Sequence, residues 1–265
     1  MKLMTWNTLF AGFDGPDDKR RRLQLEVIRE INPDILFLQE VRNFQTKDNQ
    51  LLIETENALG MLGVLGVAPK TGQNVAVFYK SDFELISWQV DDIHFYNVAC
   101  IAEFKIPRID EVVTMINVHL CHSDPKIRWD EANFLGQFVN SSKPVLMAGD
   151  FNAVSLYDAE PLGWKALPVH FKERHFLSNV TTADRETMAI LDRSGFVDVA
   201  HQFQKNNENT VPCVGIAKSE FVPFRCDYVL ATPKLAAQAK NYTVIKNQKT
   251  DIASDHYPIV VEFKI

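Results

Sequence analysis

Short runs in which Val, Ile, Leu and Phe alternate with polar residues, or crowd together, recur along the chain. Lys2–Thr5, Asp34–Leu38, Asn74–Tyr79, Phe83–Val90, Asn97–Lys105, Val112–Val118, Pro144–Ala148, Cys226–Ala231, Tyr242–Ile245 and Ile259–Lys264 have strand length and strand composition. Between them the period changes. Leu23, Val27 and Ile31 share one helical face, with Asp17 or Asp18 as the cap and Pro33 as the stop. Ile127, Glu131, Phe134, Leu135 and Phe138 predict a second helix after Pro125, and Asn49–Leu62 and Glu186–Ser194 predict two more, the last closed by Gly195. Lys19-Arg20-Arg21-Arg22 reads as the solvated face of a helix start.

Strand signals reach the last residue, and no repeat, low-complexity tract or Gly/Ser-rich linker divides them, so residues 1–265 are expected to form one domain. Many strands with interspersed helices predict an α/β protein in which mixed sheets pack face to face with helices outside. Two stretches stand apart: Ala153–Arg185 and His201–Arg225 are polar, irregular and rich in His, Lys and Asn. Connections this long are usually functional or disordered.

Composition changes this picture little. Hydrophobic residues make up 46% and charged residues 23%, as in ordinary soluble proteins. The net charge of −6 disfavours a protein that grips long duplexes, which calls for a positive surplus. Cys100, Cys121, Cys213 and Cys226 are too scattered for a zinc site or a disulfide framework and read as reduced thiols. The first residues, MKLMTWNTLF, lack a signal-length apolar run, and no window approaches a membrane span. A cytoplasmic protein without a membrane anchor, and a monomer, is the expectation.

The candidate chemistry lies where strands end. In AGDFNA (148–153), Asp150 and Asn152 follow an apolar run two residues apart, so an extended backbone turns both to one side. FLQEV (37–41) closes an apolar strand with Glu40, a carboxylate that has to be exposed, paired or bound to a cation. MTWN (4–7) ends on Asn7, an oxygen donor suited to hard cations. INVHL (116–120) carries His119 within an apolar strand, and RCDYVL (225–230) sets Arg225 and Asp227 on one side of a strand start. SDHYP (254–258) places Asp255 beside His256, and both can act together only if Pro258 keeps the segment a loop. Taken singly, each has a bland reading as a turn, a core histidine or a surface pair.

Together, TWN, LQE, NVHL, GDFN, RCDY and SDHYP, in that order from residue 5 to residue 258, resemble the endonuclease/exonuclease/phosphatase superfamily. That group includes type I deoxyribonucleases, exonuclease III-like repair nucleases, neutral sphingomyelinases and inositol polyphosphate phosphatases. The resemblance implies a four-layer sandwich and a divalent-metal-dependent phosphoesterase. Glu40 would be the principal ligand of Mg²⁺ or Mn²⁺, with Asn7 beside it and Asp255 nearby, directly or through water. Asp150 would orient and deprotonate the attacking water, and Asn152 would hold that water or a phosphoryl oxygen. His119 and His256 would contact the non-bridging oxygens, with Asp227 orienting His256. The resemblance leaves open whether Asp150 or the Asp227–His256 pair is the general base.

Three functions follow. The first is a phosphodiesterase acting on nucleic acid or nucleotide ends. The second is a phosphatase or phospholipase C-like hydrolase of inositol phosphates, phospholipid head groups or small phosphoesters. The third is a binding module that kept the fold and lost catalysis, which the presence of Glu40, Asp150 and His256 opposes. Substrate contacts are expected from Arg225 and, because Ala153–Arg185 starts beside the scissile phosphate, from Lys165, Lys172 and Arg174.

Overall fold

A computed structural model describes residues 1–140, 143–175, 182–216 and 222–265. The stretches 176–181 and 217–221, within the two polar segments singled out above, lie outside the described residues. Two six-stranded sheets face each other. The first contains β1 (Lys2–Asn7), β2 (Ile35–Gln39), β3 (Leu62–Gly66), β4 (Val75–Tyr79), β11 (Ala239–Val244) and β12 (Ile259–Phe263), in the order β11-β12-β1-β2-β4-β3. The second contains β5 (Glu84–Asp91), β6 (Val98–Lys105), β7 (Val113–His119), β8 (Val145–Asp150), β9 (Val197–Asp198) and β10 (Asp227–Ala231), in the order β5-β6-β7-β8-β10-β9. Each sheet is mixed, with one parallel pair, β1 with β2 and β7 with β8.

Burial explains the layering. Leu3, Ile35, Phe37, Val75 and Val77 of one sheet meet Cys100, Ala102, Met115, Leu146 and Ala148 of the other in the central core. The opposite face of the first sheet, with Met4, Trp6, Leu36 and Leu38, is covered by Val27 and Ile28 of α1 (Lys19–Ile31) and by Leu52 of α2 (Gln50–Leu59). The outer face of the second sheet, with Ile116, Val118, Val145 and Met147, packs on α3 (Pro125–Gly136) and α5 (Glu186–Ser194). Helix, sheet, sheet, helix is the expected four-layer sandwich. Short elements complete it: α4 (Val169–His175), α6 (Val199–Gln202), α7 (Pro233–Ala236) and α8 (Thr250–Ala253). Among the described residues no helix is long and apolar enough to cross a membrane.

Some expectations change. The helix expected over Asn49–Leu62 stops at Leu59 because Gly60 takes a left-handed conformation, and Leu62 already begins β3. The basic run at the start of α1 is only partly solvated. Arg20 and Arg21 are buried, Arg20 forking onto Asp14 and reaching the Leu9 and Phe13 carbonyls, Arg21 onto Thr55. They brace the turn after β1.

Gly149, inside β8, shows how tightly the site edge is packed. Its φ is +144°, and a β-carbon there would lie 2.0 Å from the Val118 carbonyl oxygen of β7. Neither the backbone conformation nor the strand spacing accommodates a side chain. Gly149→Ala is expected to cost at least about 3 kcal/mol, seen as a fall in Tm of roughly 6 °C or more. An unchanged melting curve would contradict this packing.

Candidate active site

Strand register assembles the site. His119 of β7 lies opposite Asp150 of β8, and Asp150 lies opposite Asp227 of β10, so three site residues form a row across neighbouring strands. In the facing sheet Asn7 ends β1, and Glu40 follows Gln39 at the end of β2. Ser254–Pro258, between α8 and β12, crosses the same edge and is a loop, so Asp255 and His256 both line the cavity there. Trp6 Nε1 donates to the His256 carbonyl at 2.7 Å, and Ser254 Oγ donates to the Asn7 carbonyl at 2.7 Å, tying that loop to β1.

The centre is the buried carboxylate of Asp150. Its Oδ2 stands 3.0 Å from Asn7 Nδ2, 3.6 Å from His119 Nε2 and 3.7 Å from His256 Nε2. Its Oδ1 accepts the Asn152 N–H at 2.9 Å. Burial raises its pKa above the ordinary carboxylate value, opposed by His256 and His119 and reinforced by Asp227. His256 Nδ1 lies 2.9 Å from Asp227 Oδ2, which fixes the ring so that Nε2 faces Asp150. Burial alone would lower the His256 pKa, but Asp227 and Asp150 outweigh it and hold the imidazole well above its usual value. At neutral pH His256 is therefore a cationic donor held between two carboxylates.

A cavity of about 200 Å³ opens over this cluster, lined by Glu40, His119, Asp150, Asn152, Asp255 and His256 together with Leu9, Phe10, Arg42, Gln73, His122, Arg174 and His175. Cavities of about 320 and 470 Å³ lie elsewhere, over Arg225 and near the C-terminus, and hold no such convergence of groups. Chemistry marks the site better than volume does.

Several side chains are not where spacing placed them. Asn152 has a φ of +50°, so it reaches the cavity through a tight turn and not by strand alternation. Arg225 precedes the first residue of β10 and is fully buried, with Nη2 at 2.7 Å from Asp198 and 2.8 Å from Asp158, Nε at 2.9 Å from Asp158 and Nη1 at 3.0 Å from Asp198. Its donors are committed to two carboxylates, and it does not line the active cavity. Lys165 and Lys172 do not line it either; Lys165 is exposed beside its own neighbour Trp164. Arg174, at the end of α4, does. Arg42, His122 and His175 line the cavity as well.

The oxygen donors suit a hard divalent cation. Glu40, Asp255 and Asn7 offer carboxylate and carboxamide oxygens without thiolates. Glu40 has a φ of +57°, a costly conformation for a side-chain-bearing residue, and among the described residues its carboxylate holds two long contacts, 3.3 Å each, from Asn7 Nδ2 and the Phe10 N–H. Strain that aims a weakly engaged carboxylate into a cavity fits a cation ligand. Asn7 Oδ1 accepts the Leu9 N–H at 3.1 Å and keeps one lone pair, a supporting donor only. Asp150, Cys226, Asp227 and His256 also bring ligand atoms within 4.8 Å of one another. That group is better read as a hydrogen-bonded chain. Asp227 and His256 are engaged with each other, and burial, then Asp227, holds the Cys226 thiol well above its usual pKa, hence protonated.

The pattern of the Endonuclease/Exonuclease/phosphatase family matches residues 4–256. The chain belongs to that family. Its members are metal-dependent phosphoester hydrolases. No curated protein sequence matches the chain significantly. Among solved structures it is similar to the mannosyl-6-phosphatase Bt3783 of Bacteroides thetaiotaomicron, with a TM-score of 0.69, 17% identity and 100% of each chain covered. It is also similar to D. rerio TDP2 complexed with a single-strand DNA product, with a TM-score of 0.68, 16% identity, and 100% of this chain and 99% of that chain covered. An AP endonuclease from Archaeoglobus fulgidus is comparable, with a TM-score of 0.68, 18% identity and 100% of each chain covered. At such identities the likeness carries the fold and no particular substrate.

Proposed function

We propose that this protein is a divalent-metal-dependent phosphodiesterase acting on nucleic acid or nucleotide ends. The observation that carries the reading is the convergence of Asn7, His119 and His256 on one oxygen of the buried Asp150, beside Glu40 and Asp255. Glu40 and Asp255, helped by Asn7, would hold Mg²⁺ or Mn²⁺. When bound, such an ion neutralises phosphoryl charge and polarises the phosphorus centre. Asp150 is the group placed to orient and deprotonate water, because Asn7 and the Asn152 N–H fix its carboxylate and its raised pKa makes it a stronger base. His256 donates to a non-bridging oxygen, kept cationic and oriented by Asp227, and His119 Nε2 points to the same spot.

A second reading, hydrolysis of a small phosphoester, is favoured by the cavity's modest size of about 200 Å³ and by the net charge of −6. Turnover with Mg²⁺ should be compared on single-stranded DNA, RNA, nucleotides, inositol phosphates, sugar phosphates and sphingomyelin. A kcat/KM at least about tenfold higher on oligonucleotides than on any small phosphoester is expected for the first reading. The reverse order supports the second, and no turnover of any, including bis-p-nitrophenyl phosphate, overturns both.

A further inference from the structure

Two arginines line the active cavity without belonging to the Asp150 cluster. Arg42 lies two residues beyond Glu40. Its guanidinium sits 3.9 Å from the centre of the Phe10 ring, and its Nε donates at 3.1 Å to Oε1 of the buried Gln73. Among the described residues it makes no ion pair, although carboxylates are plentiful nearby. Arg174 approaches from the end of α4, its guanidinium 4.8 Å from the Phe171 ring. Its main chain is pinned because Nη2 of the fully buried Arg128 donates to the Arg174 carbonyl at 2.7 Å, while Arg128 Nη1 donates to the Cys121 carbonyl at 2.7 Å. Arg128 thus fastens α4 to the loop that follows His119.

Both arginines line the same cavity. His122 shares the cavity, and burial, then His119, Arg174, Arg128 and Arg42, push its imidazole down to about 4. It stays neutral at pH 7, so among the described residues the cations lining the cavity are the His256 imidazolium, already engaged by Asp227, and the two guanidiniums. A guanidinium laid on an aromatic ring and tied at Nε keeps its terminal nitrogens oriented, and little freedom is lost when an anion binds. The alternative, an arginine that only covers Phe10, requires nothing of the substrate.

The scissile group has its own partners: His256, His119 and the oxygen ligands at the strand ends. A phosphodiester carries a single negative charge there, and the guanidiniums of Arg42 and Arg174 stand outside that set of partners. We propose that Arg42 and Arg174 bind a second phosphate of the substrate, so that the cavity selects phosphoesters bearing two phosphates over those bearing one. This rests on the phosphoesterase reading and narrows it to nucleotides with an additional phosphate or to bisphosphorylated sugars.

Calorimetric titration in Mg²⁺ with two matched pairs tests this: thymidine 5′-monophosphate against thymidine 3′,5′-bisphosphate, and fructose 6-phosphate against fructose 1,6-bisphosphate. In at least one pair the bisphosphate should bind about tenfold or more tightly, as expected for charge-assisted contacts. Arg42→Met and Arg174→Met should each cut that ratio to about threefold or less, and Arg42→Lys should keep part of it. The responding pair identifies the substrate skeleton. Monophosphate binding with no bisphosphate preference in either pair, or a preference that survives both arginine changes, overturns the inference alone. Failure to bind all four ligands, together with no turnover of bis-p-nitrophenyl phosphate, overturns the phosphoesterase reading and the inference with it.

Discussion

Asp150→Asn should lower kcat on any accepted phosphoester by about a hundred- to ten-thousandfold, and His256→Ala by a similar factor. The first change is nearly isosteric. An asparagine oxygen can still accept the Asn152 N–H, now 2.9 Å from Asp150 Oδ1, so the strand end keeps its shape while the base is lost. The second removes the cationic donor that Asp227 and Asp150 hold in place. Circular dichroism on both variants separates loss of chemistry from loss of fold, a needed control because both residues are buried. Asp227→Asn should cost less than His256→Ala, since Asp227 acts through the imidazole. The double variant should lose little beyond His256→Ala alone, because residues acting as one unit are not additive. Multiplied losses in the double variant would refute the 2.9 Å pair as a functional unit.

What the sequence made legible follows from which signals are local. Strands such as β2, β7 and β8 are apolar runs, and the residues closing them, Glu40, His119 and Asp150, reach one edge because strand ends must. β3 was missed for a physical reason. Its sequence LGVLG reads as a turn, yet a β-carbon at Gly63 would lie 2.8 Å from the Phe78 ring and one at Gly66 2.9 Å from Val75. There glycine permits close packing on β4 and does not break the strand. Arg225 was misplaced because i, i+2 alternation holds only inside a strand, and β10 begins at Asp227. Its partners, Asp158 from a loop and Asp198 from β9, are remote in sequence, and no local pattern announces them. Arg42 and His175 belong to the same class. They enter the cavity through the path of the connections after β2 and after β8, which hydrophobic periodicity does not encode.

Removing the divalent cation should abolish turnover, and adding Mg²⁺ or Mn²⁺ to the chelated protein should restore it. Glu40, Asp150 and Asp255 line one cavity, while Glu40 is held at a φ of +57° and, among the described residues, by long contacts from Asn7 and Phe10. A dication held by these side chains binds the folded state only. The same ion should therefore raise Tm. Saturation at a hundred times the dissociation constant corresponds to about 2.7 kcal/mol of added stability. Activity and melting give two independent readouts of one site. Glu40→Gln keeps the shape and removes the charge, so it should weaken Mg²⁺ binding about tenfold or more and shrink the Tm rise in step. Asp255→Asn should act in the same direction. Full turnover in EDTA, with elemental analysis showing no bound metal, would remove Glu40 and Asp255 from the role of ligands. A metal-dependent Tm rise unchanged in Glu40→Gln would instead move the ion to the neighbouring Asp150, Asp227 and His256 group.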